Sequence, residues 1–469
     1  MSGFFLKIAR FFVSILLSLG LIEAPFVAYT PLEGRDYGDY EQLEVVPDAS
    51  EYVSIKAVDT GKDIYSVPEG VDYAYRYGPS IITNADGSLD AWFAGLGGHD
   101  EWDWIIYRHS PDGGETWTDE TAVLAPTPDS PDFYSCCDPG VIKIGRYYYI
   151  GYTSTVHPDG IINDVFVARS LKPDGPYEKW NGNGWGGKPV PIIKYDGDPI
   201  TFGAGEPSFV ELNGTLYIYY TWRDGAENST RVAVADATDE NWPATLEHKG
   251  VALTYKDGAC DSADVKYIEN FGKFVAVNTV DRFTEESSVG VYVSDDGLTF
   301  IPSYSLKTNI SHCCHNSGIS SRANGHIRLE DDVFLAYAYG DQWGLWPTRM
   351  HKVEIALTDA PDFSDYDNTN HKTVTEFAKP SLFADYIGIT TAPHNIEINI
   401  SDRKTKIEVY KYDNTFEYEI IRKGVTFSGY DSEIIEIDGM YVKPKAVGQT
   451  FVTAAWNGFS RDFLVTVTE

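Results

Sequence analysis

Three carboxylates open strands in the same way along this chain. Asp138 leads into Pro139-Gly140-Val141-Ile142, Glu206 into Pro207-Ser208-Phe209-Val210, and Asp264 into Val265-Lys266-Tyr267-Ile268. Glu206 and Asp264 each stand eight positions before a turn glycine (Gly214 and Gly272), and Asp138 stands seven before Gly145. Equivalent strands that deliver three acids to one rim would crowd like charges together. Crowding raises at least one carboxyl pKa, which is what a general acid working near neutrality needs. One acid before a proline merely caps a turn; three in register point to chemistry.

The elements that must position these acids form a repeat between about residues 72 and 359. Each copy has an alternating apolar strand, a glycine turn, an aromatic strand, a third strand and a polar turn. The copies open at Gly78, Asp138, Glu206, Asp264 and Asn316, spaced by 60, 68, 58 and 52 residues. Period-two patterning with dense Tyr, Val, Ile and Phe predicts strands. Regular units of four short strands predict blades around an axis. The expected fold is all-β, a five-bladed β-propeller over 71–360, preceded by an extension over 29–70. Residues at matching positions of different blades then meet at one mouth of a central funnel.

Past Pro361 the pattern stops, and 361–390 reads as a linker or edge segment. Residues 391–469 are a run of short alternating strands. They resemble bacterial immunoglobulin-like domains through the Ser-x-x-Asp-Ser-x-Ile-x-x-Ile stretch from Ser428 and the Val447-Gly448-Gln449-Thr450 turn. A small β-sandwich acting as a spacer is the implied role.

The whole sequence has 469 residues, 37 Lys and Arg against 70 Asp and Glu, and a net charge of −33. Such acidity argues against nucleic-acid partners, whose phosphates need clustered basic residues. Residues 1–28 begin with Lys7 and Arg10 and continue in an apolar run from Phe11 to Ile22, the order of a secretory signal peptide or an N-terminal anchor. That run is shorter than the ~20 residues a spanning helix prefers. The expectation is a secreted or surface-anchored protein with no other membrane partner; oligomeric state is not legible.

The Asp138-Pro139 strand with Tyr147-Tyr148-Tyr149, the Gly205-Glu206-Pro207-Ser208-Phe209 strand, and His315-Asn316-Ser317 resemble blades two, three and five of glycoside hydrolase family 43. The resemblance implies a hydrolase of arabinan- or xylan-type glycosides, with a polysaccharide or oligosaccharide as substrate. It implies Glu206 as general acid, Asp138 as the residue tuning and orienting it, and His315 on the axis where the family often holds a calcium or sodium ion. No cofactor is otherwise required. The family's base is an Asp opening blade one, where this chain has Tyr77-Gly78-Pro79. Asp264, by register, is the provisional replacement, with Asp103 and Asp72 as alternatives.

A second resemblance competes. Ser110-Pro111-Asp112-Gly113-Gly114-Glu115-Thr116-Trp117 matches the Asp-box turn of sialidase-like propellers, and 294–300 is a shorter version. Tyr75-Arg76-Tyr77-Gly78-Pro79 is similar to the sialidase strand whose arginine grips a substrate carboxylate, which makes Arg76 and Tyr77 substrate-binding candidates. The rival functions are a carbohydrate-binding propeller without turnover and a sialidase-like hydrolase of acidic sugars. Cys136-Cys137, Cys313-Cys314 and Cys260 all fall at the same rim. Disulfides, free thiols and a Cys/His zinc site are the alternatives, and a vicinal disulfide at Cys136-Cys137 would make a small apolar platform for a sugar. Trp102, Trp104, Trp222, Trp343 and Trp346 lie on segments leaving the blades and are candidate stacking rings.

Overall fold

The computed structural model describes residues 51–71, 73–97, 103–128, 130–155, 162–195, 202–224, 227–253, 262–364, 388–392, 396–412 and 418–469. The expected export segment, Asp72, Trp102, Cys260 and most of 361–390 lie outside them. Among the described residues the regular structure is all β, apart from one turn of 3-10 helix at Trp242–Thr245. No helix among them is long and apolar enough to cross a membrane.

Two strands precede the repeat, β1 (Tyr52–Ala57) and β2 (Lys62–Tyr65). The first meander is β3 (Ala74–Thr83), β4 (Leu89–Leu96), β5 (Asp103–Ser110) and β6 (Thr121–Leu124). The second is β7 (Cys137–Ile144), β8 (Tyr147–Thr155), β9 (Asn163–Ser170) and β10 (Glu178–Lys179). The third is β11 (Gly203–Leu212), β12 (Thr215–Asp224), β13 (Glu227–Asp236) and β14 (Glu247–Leu253). The fourth is β15 (Asp264–Ile268), β16 (Lys273–Val280), β17 (Ser288–Ser294) and β18 (Ile301–Leu306). The last comprises β19 (His315–Ile319), β21 (Val333–Ala338) and β23 (Thr348–Thr358), while β20 (His326–Ile327) adds in parallel to β15 of the fourth and β22 (Leu345–Trp346) to β3 of the first.

The first strands β3, β7, β11, β15 and β19 touch in sequence, and β19 returns to β3, so the sheets stand around an axis as in a propeller. Closure is not covalent. Strand β1 pairs antiparallel with β23 from Tyr52↔Thr358 to Ala57↔Val353, so the chain's early strand becomes the outer strand of its last sheet. The ring therefore draws on residues from Tyr52 onward. The expected boundary at residue 71 misses this, because β1 pairs with a strand about 300 residues away and belongs to no local repeat.

Large apolar side chains fill the wedges between neighbouring sheets. Trp92 packs with Tyr152 between the first and second sheets, and Tyr149 with Phe209 and Trp242 between the second and third. Tyr219, Phe274 and Tyr292 fill the next wedge. Each fully buried ring of this kind is worth roughly 1.5–3 kcal/mol, which is why both faces of the inner strands are apolar.

The axis is blocked at one end. The segment 321–325 lies under the ends of the inner strands and accepts backbone hydrogen bonds from four of them. Thr83, Lys143, Glu211 and Tyr267 donate to the carbonyls of Ser321, Ala323, Asn324 and Gly325 at 2.8, 2.6, 3.0 and 3.0 Å. Gly325 is required here, since a Cβ would stand 2.7 Å from the Phe209 carbonyl. Open access is left to the opposite end, where the inner strands begin.

The described residues of 388–469 form three small sheets around Ile396, Ile435, Val442, Val452 and Phe463. The strand Ile396–Asn399 runs parallel to the final strand Phe459–Thr468.

Candidate active site

Four of the five inner strands start with a bulge, and the bulge explains how side chains reach the mouth. Pairing slips between Tyr77 and Ser80, Cys137 and Gly140, Gly205 and Ser208, and His315 and Gly318. The first residue of each slip is left-handed: Gly78 at φ 59°, Asp138 at 47°, Glu206 at 53° and Asn316 at 47°. In the fourth sheet the matching left-handed residue is Ser262, at 55°. Left-handed backbone is uncommon outside glycine, and strained positions of this kind concentrate at functional sites. Four non-glycine residues held this way around one axis are a built feature.

These four residues meet. The Asn316 amide nitrogen points at Asp138 Oδ1, Glu206 Oε1 and Ser262 Oγ, at 3.5, 3.3 and 3.1 Å. One nitrogen within those distances of both acids puts the two carboxylate oxygens at most 6.8 Å apart. Glu206 is 8% exposed and Asp138 9%.

Two threonines on the second strands hold the acids from behind. Thr221 donates to Glu206 Oε2 at 2.5 Å and accepts from the Ser262 amide at 2.8 Å. Thr153 accepts the Glu206 amide at 2.7 Å and hydrogen-bonds Asp138. Each threonine stands 15 residues after the acid of its own unit, a spacing that was readable in the sequence. Arg282 Nη1 lies 3.8 Å from Glu206 Oε1.

Burial, reinforced by the negative charge of Asp103, pushes Asp138 up to about 6. Asp103 opens β5 and is 6% exposed. Its two oxygens accept from Tyr75 at 2.7 Å and Tyr77 at 3.0 Å. Burial also raises Asp103 to about 6, against the pull of both phenols.

Asp264 does not join the rim. It sits two residues beyond the left-handed position, in register with Ser80, Gly140, Ser208 and Gly318. Residues at that position sew one inner strand to the next. Ser80 accepts the Val141 amide at 3.1 Å, Ser208 the Val265 amide at 2.9 Å, and Asp264 Oδ2 the Ile319 amide at 2.8 Å. Asp264 Oδ1 is held by Ser208 and by an ion pair with Lys266. The expected base is therefore a seam residue; counting back from the turn glycine misassigned it because the β15–β16 turn is longer than the β7–β8 and β11–β12 turns used for comparison.

The other expected site residues divide. Tyr77 and Trp343 belong to an aromatic wall around His315. Ring centres lie 4.4 Å apart for Phe283–His315 and His315–Trp346, 6.3 Å for Tyr77–His315, and 4.6 Å for Trp343–Trp346. Arg76 is not an anchor in the mouth, because it forms a two-pronged ion pair with Glu120 (3.0 and 2.5 Å) and lies over Tyr65. Trp104 shares a cross-strand row with Gly95 and Arg76, which places it on Arg76's face of the sheet. Trp222 is 5% exposed and packs on Tyr195 and Arg231, so it is core and not a stacking surface.

The four described cysteines are buried free thiols. The expected disulfide platform is absent among them. Adjacent strand residues point to opposite faces: Cys136 enters the core beside Trp92, and Cys137 turns to the Thr153 carbonyl. Burial raises both thiols far above their ordinary value, which leaves them inert.

His315 fits an axial cation poorly. Calcium and sodium take oxygen ligands, whereas this ring is enclosed by aromatic carbons and its Nδ1 bonds Asn316 Oδ1 at 2.9 Å. No group of three or more His, Cys, Asp or Glu among the described residues could hold a metal ion. Burial lowers His315 to about 3, so it is neutral. Nδ1 then carries the proton given to Asn316, which fixes that amide with its nitrogen toward the acids.

The two loops expected to be Asp-box turns, 110–117 and 294–300, are hydrogen-bonded turns between third and fourth strands. Asp112 accepts from the Thr116 amide at 2.8 Å, and Ser110 from the Gly114 amide at 2.7 Å. In the shorter copy Ser294 accepts from the Gly297 amide at 2.9 Å. Both hold the fold and stand away from the acids.

No family model matches the sequence. No curated protein matches it either. Among solved structures, the chain is similar to a family 117 glycoside hydrolase from the marine bacterium Zobellia galactanivorans, at 15% identity and TM-score 0.48, over 65% of this chain and 90% of that one. It is similar to the catalytic domain of a Coprinopsis cinerea GH62 alpha-L-arabinofuranosidase at 10% identity and TM-score 0.45, over 65% and 97%. It is also similar to an endo-arabinase from Bacteroides thetaiotaomicron at 14% identity and TM-score 0.44, over 62% and 98%.

Proposed function

We propose that this chain is an exported glycoside hydrolase whose ring is a five-bladed propeller and whose residues 391–469 are an immunoglobulin-like accessory domain. The observation that carries this reading is the single Asn316 amide facing both Asp138 and Glu206 at the open end of the ring. Two buried carboxyls so close, each tied to a second-strand threonine, suit the division of labour of a glycosidase acid and its tuning partner. Glu206 gives its proton to the leaving oxygen, and Asp138 holds the electrostatics that keep that proton available. Tyr77 and Trp343, both half-buried, offer aromatic faces to a sugar ring. Arabinan- or xylan-type glycosides are the proposed substrates, without an ion in the chemistry.

A second reading is a carbohydrate-binding propeller without turnover. Gly78 favours it, since that position brings no carboxylate to the rim. Incubating the protein with arabinan, xylan and arabinogalactan distinguishes the two. Release of reducing sugar that Glu206→Gln abolishes supports the hydrolase. Binding without release by the unaltered protein supports the second reading.

A further inference from the structure

A hydrolase with Glu206 as its acid still needs a group to take the proton of the attacking water. Asp138 is already given to tuning Glu206, with which it shares the Asn316 amide. Their facing oxygens are at most 6.8 Å apart, which leaves them no farther than the short end of the ~6.5–9.5 Å that a water-accommodating pair spans. Asp264 is committed to the seam, and Gly78 has no side chain.

We propose that Tyr77 and Asp103 together replace the missing base, Tyr77 taking the water's proton while passing its own to Asp103. This rests on the glycoside hydrolase reading. Tyr77 is the neighbour of Gly78 on β3, and its hydroxyl donates to Asp103 Oδ2 at 3.0 Å. The first oxygen of Asp103 is fixed by Tyr75 at 2.7 Å, so the carboxylate cannot swing away. The Tyr77 ring belongs to the aromatic wall of the mouth, beside His315 and Trp346. Gly78 supplies the room. A Cβ there would lie 3.5 Å from Asp138 Oδ1, so the space a blade-one carboxylate would fill adjoins the acids and Tyr77.

The step balances. The water oxygen bonds to the anomeric carbon as the glycosidic carbon–oxygen bond breaks, and the leaving oxygen takes the Glu206 proton. One water proton passes to the Tyr77 oxygen while the Tyr77 proton passes to Asp103. Exchange with solvent then returns a proton to Glu206 and removes one from Asp103. Burial and the negative charge of Asp103 hold the Tyr77 phenol well above its ordinary value, so a lasting phenolate does not form and the two transfers occur together. Asp103, raised to about 6, is ionised at neutral pH and well matched to receive a proton.

The test compares Tyr77→Phe, Asp103→Asn, Glu206→Gln and Asp103→Asn/Gly78→Asp on debranched arabinan, xylan, and 4-nitrophenyl arabinofuranoside and xyloside. Tyr77→Phe and Asp103→Asn are expected to lower kcat about 10²–10⁴-fold on polymer and aryl glycoside alike, with KM nearly unchanged. Glu206→Gln should lose the polymers yet keep aryl glycosides, whose leaving group needs no proton. Azide, a nucleophile that needs no base, should restore aryl glycoside cleavage to Asp103→Asn. Gly78→Asp should restore it too, by placing a carboxylate in the vacant space. Should Asp103→Asn fail to fold, Tyr77→Phe with azide carries the same comparison. A kcat within threefold of the unaltered protein for both variants, or losses that neither azide nor Gly78→Asp repairs, overturns the relay. If Glu206→Gln still abolishes polymer cleavage in that case, the hydrolase reading stands alone. No turnover by the unaltered protein removes both.

Discussion

Ser208 donates its hydroxyl to Asp264 Oδ1 at 2.7 Å, joining the third inner strand to the fourth. Asp264 passes the link onward by accepting the Ile319 amide from the fifth. Asp264→Ala would strand that amide, the Ser208 hydroxyl and the Lys266 ammonium, which is 6% exposed. We expect a loss of about 2–4 kcal/mol in urea unfolding. Asp264→Asn should lose less and keep the turnover of the unaltered protein, whereas a base would lose turnover without losing stability.

Gly318 and Gly140 do by proximity what the seam hydroxyls do by hydrogen bonding. A Cβ at Gly318 would stand 2.2 Å from the Pro79 carbonyl oxygen, and one at Gly140 2.0 Å from that of Pro207. Both obstacles are backbone, so neither can move without opening a seam. Gly318→Ala and Gly140→Ala should each cost about 3 kcal/mol or more, read as a lower thermal midpoint. Gly87→Ala tests the difference between sterics and backbone strain. Nothing stands within 4 Å of its Cβ, so the left-handed φ of 84° leaves a cost of about 1 kcal/mol.

The ring was legible because each inner strand repeats one pattern, and Asp138 and Glu206 were legible because each precedes a proline in that pattern. The fourth unit breaks the rule, since Ser262-Ala263-Asp264 has no proline and its acid stands two residues late. The partners of Asp103 were hidden by distance, because Tyr75 and Tyr77 are more than 25 residues away and lie on another strand. Arg76 misled for a different reason. A sequence shows that an arginine is near a rim, but not that Glu120 across the sheet has already engaged it.

Stability should fall through mildly acidic pH at one site because of Asp103. Its folded-state pKa, about 6, lies above the ordinary carboxylate value, so the native state holds the proton more tightly. That contribution is present below the unfolded value and disappears as pH rises through 6, a change of about 3 kcal/mol at full burial. Asp103→Asn should therefore unfold at higher denaturant than the unaltered protein at pH 7.5, with the gap closing by pH 4. The same variant is expected to lose activity, so stability and turnover move in opposite directions.

His315 works with the opposite sign. Burial among Phe283, Tyr77 and Trp346 lowers it to about 3, so the unfolded chain binds the proton more tightly than the native one. The stability it withholds is fully available above the ordinary histidine value and is lost as pH falls from about 6.5 toward 3. At pH 4 the loss amounts to about 3 kcal/mol, part of it offset by Asp103 and Asp138 in the same window. His315→Phe removes the histidine contribution and leaves the carboxylates. It is expected to be less stable than the unaltered protein at pH 7.5, where the bond to Asn316 is missing. Its denaturation midpoint should nevertheless fall less between pH 6.5 and 4, because no buried imidazole must be charged. Equal slopes for the two proteins across that range would mean that His315 takes up its proton in the native ring as readily as in the unfolded chain, and the Asn316 orientation would then lose its cause.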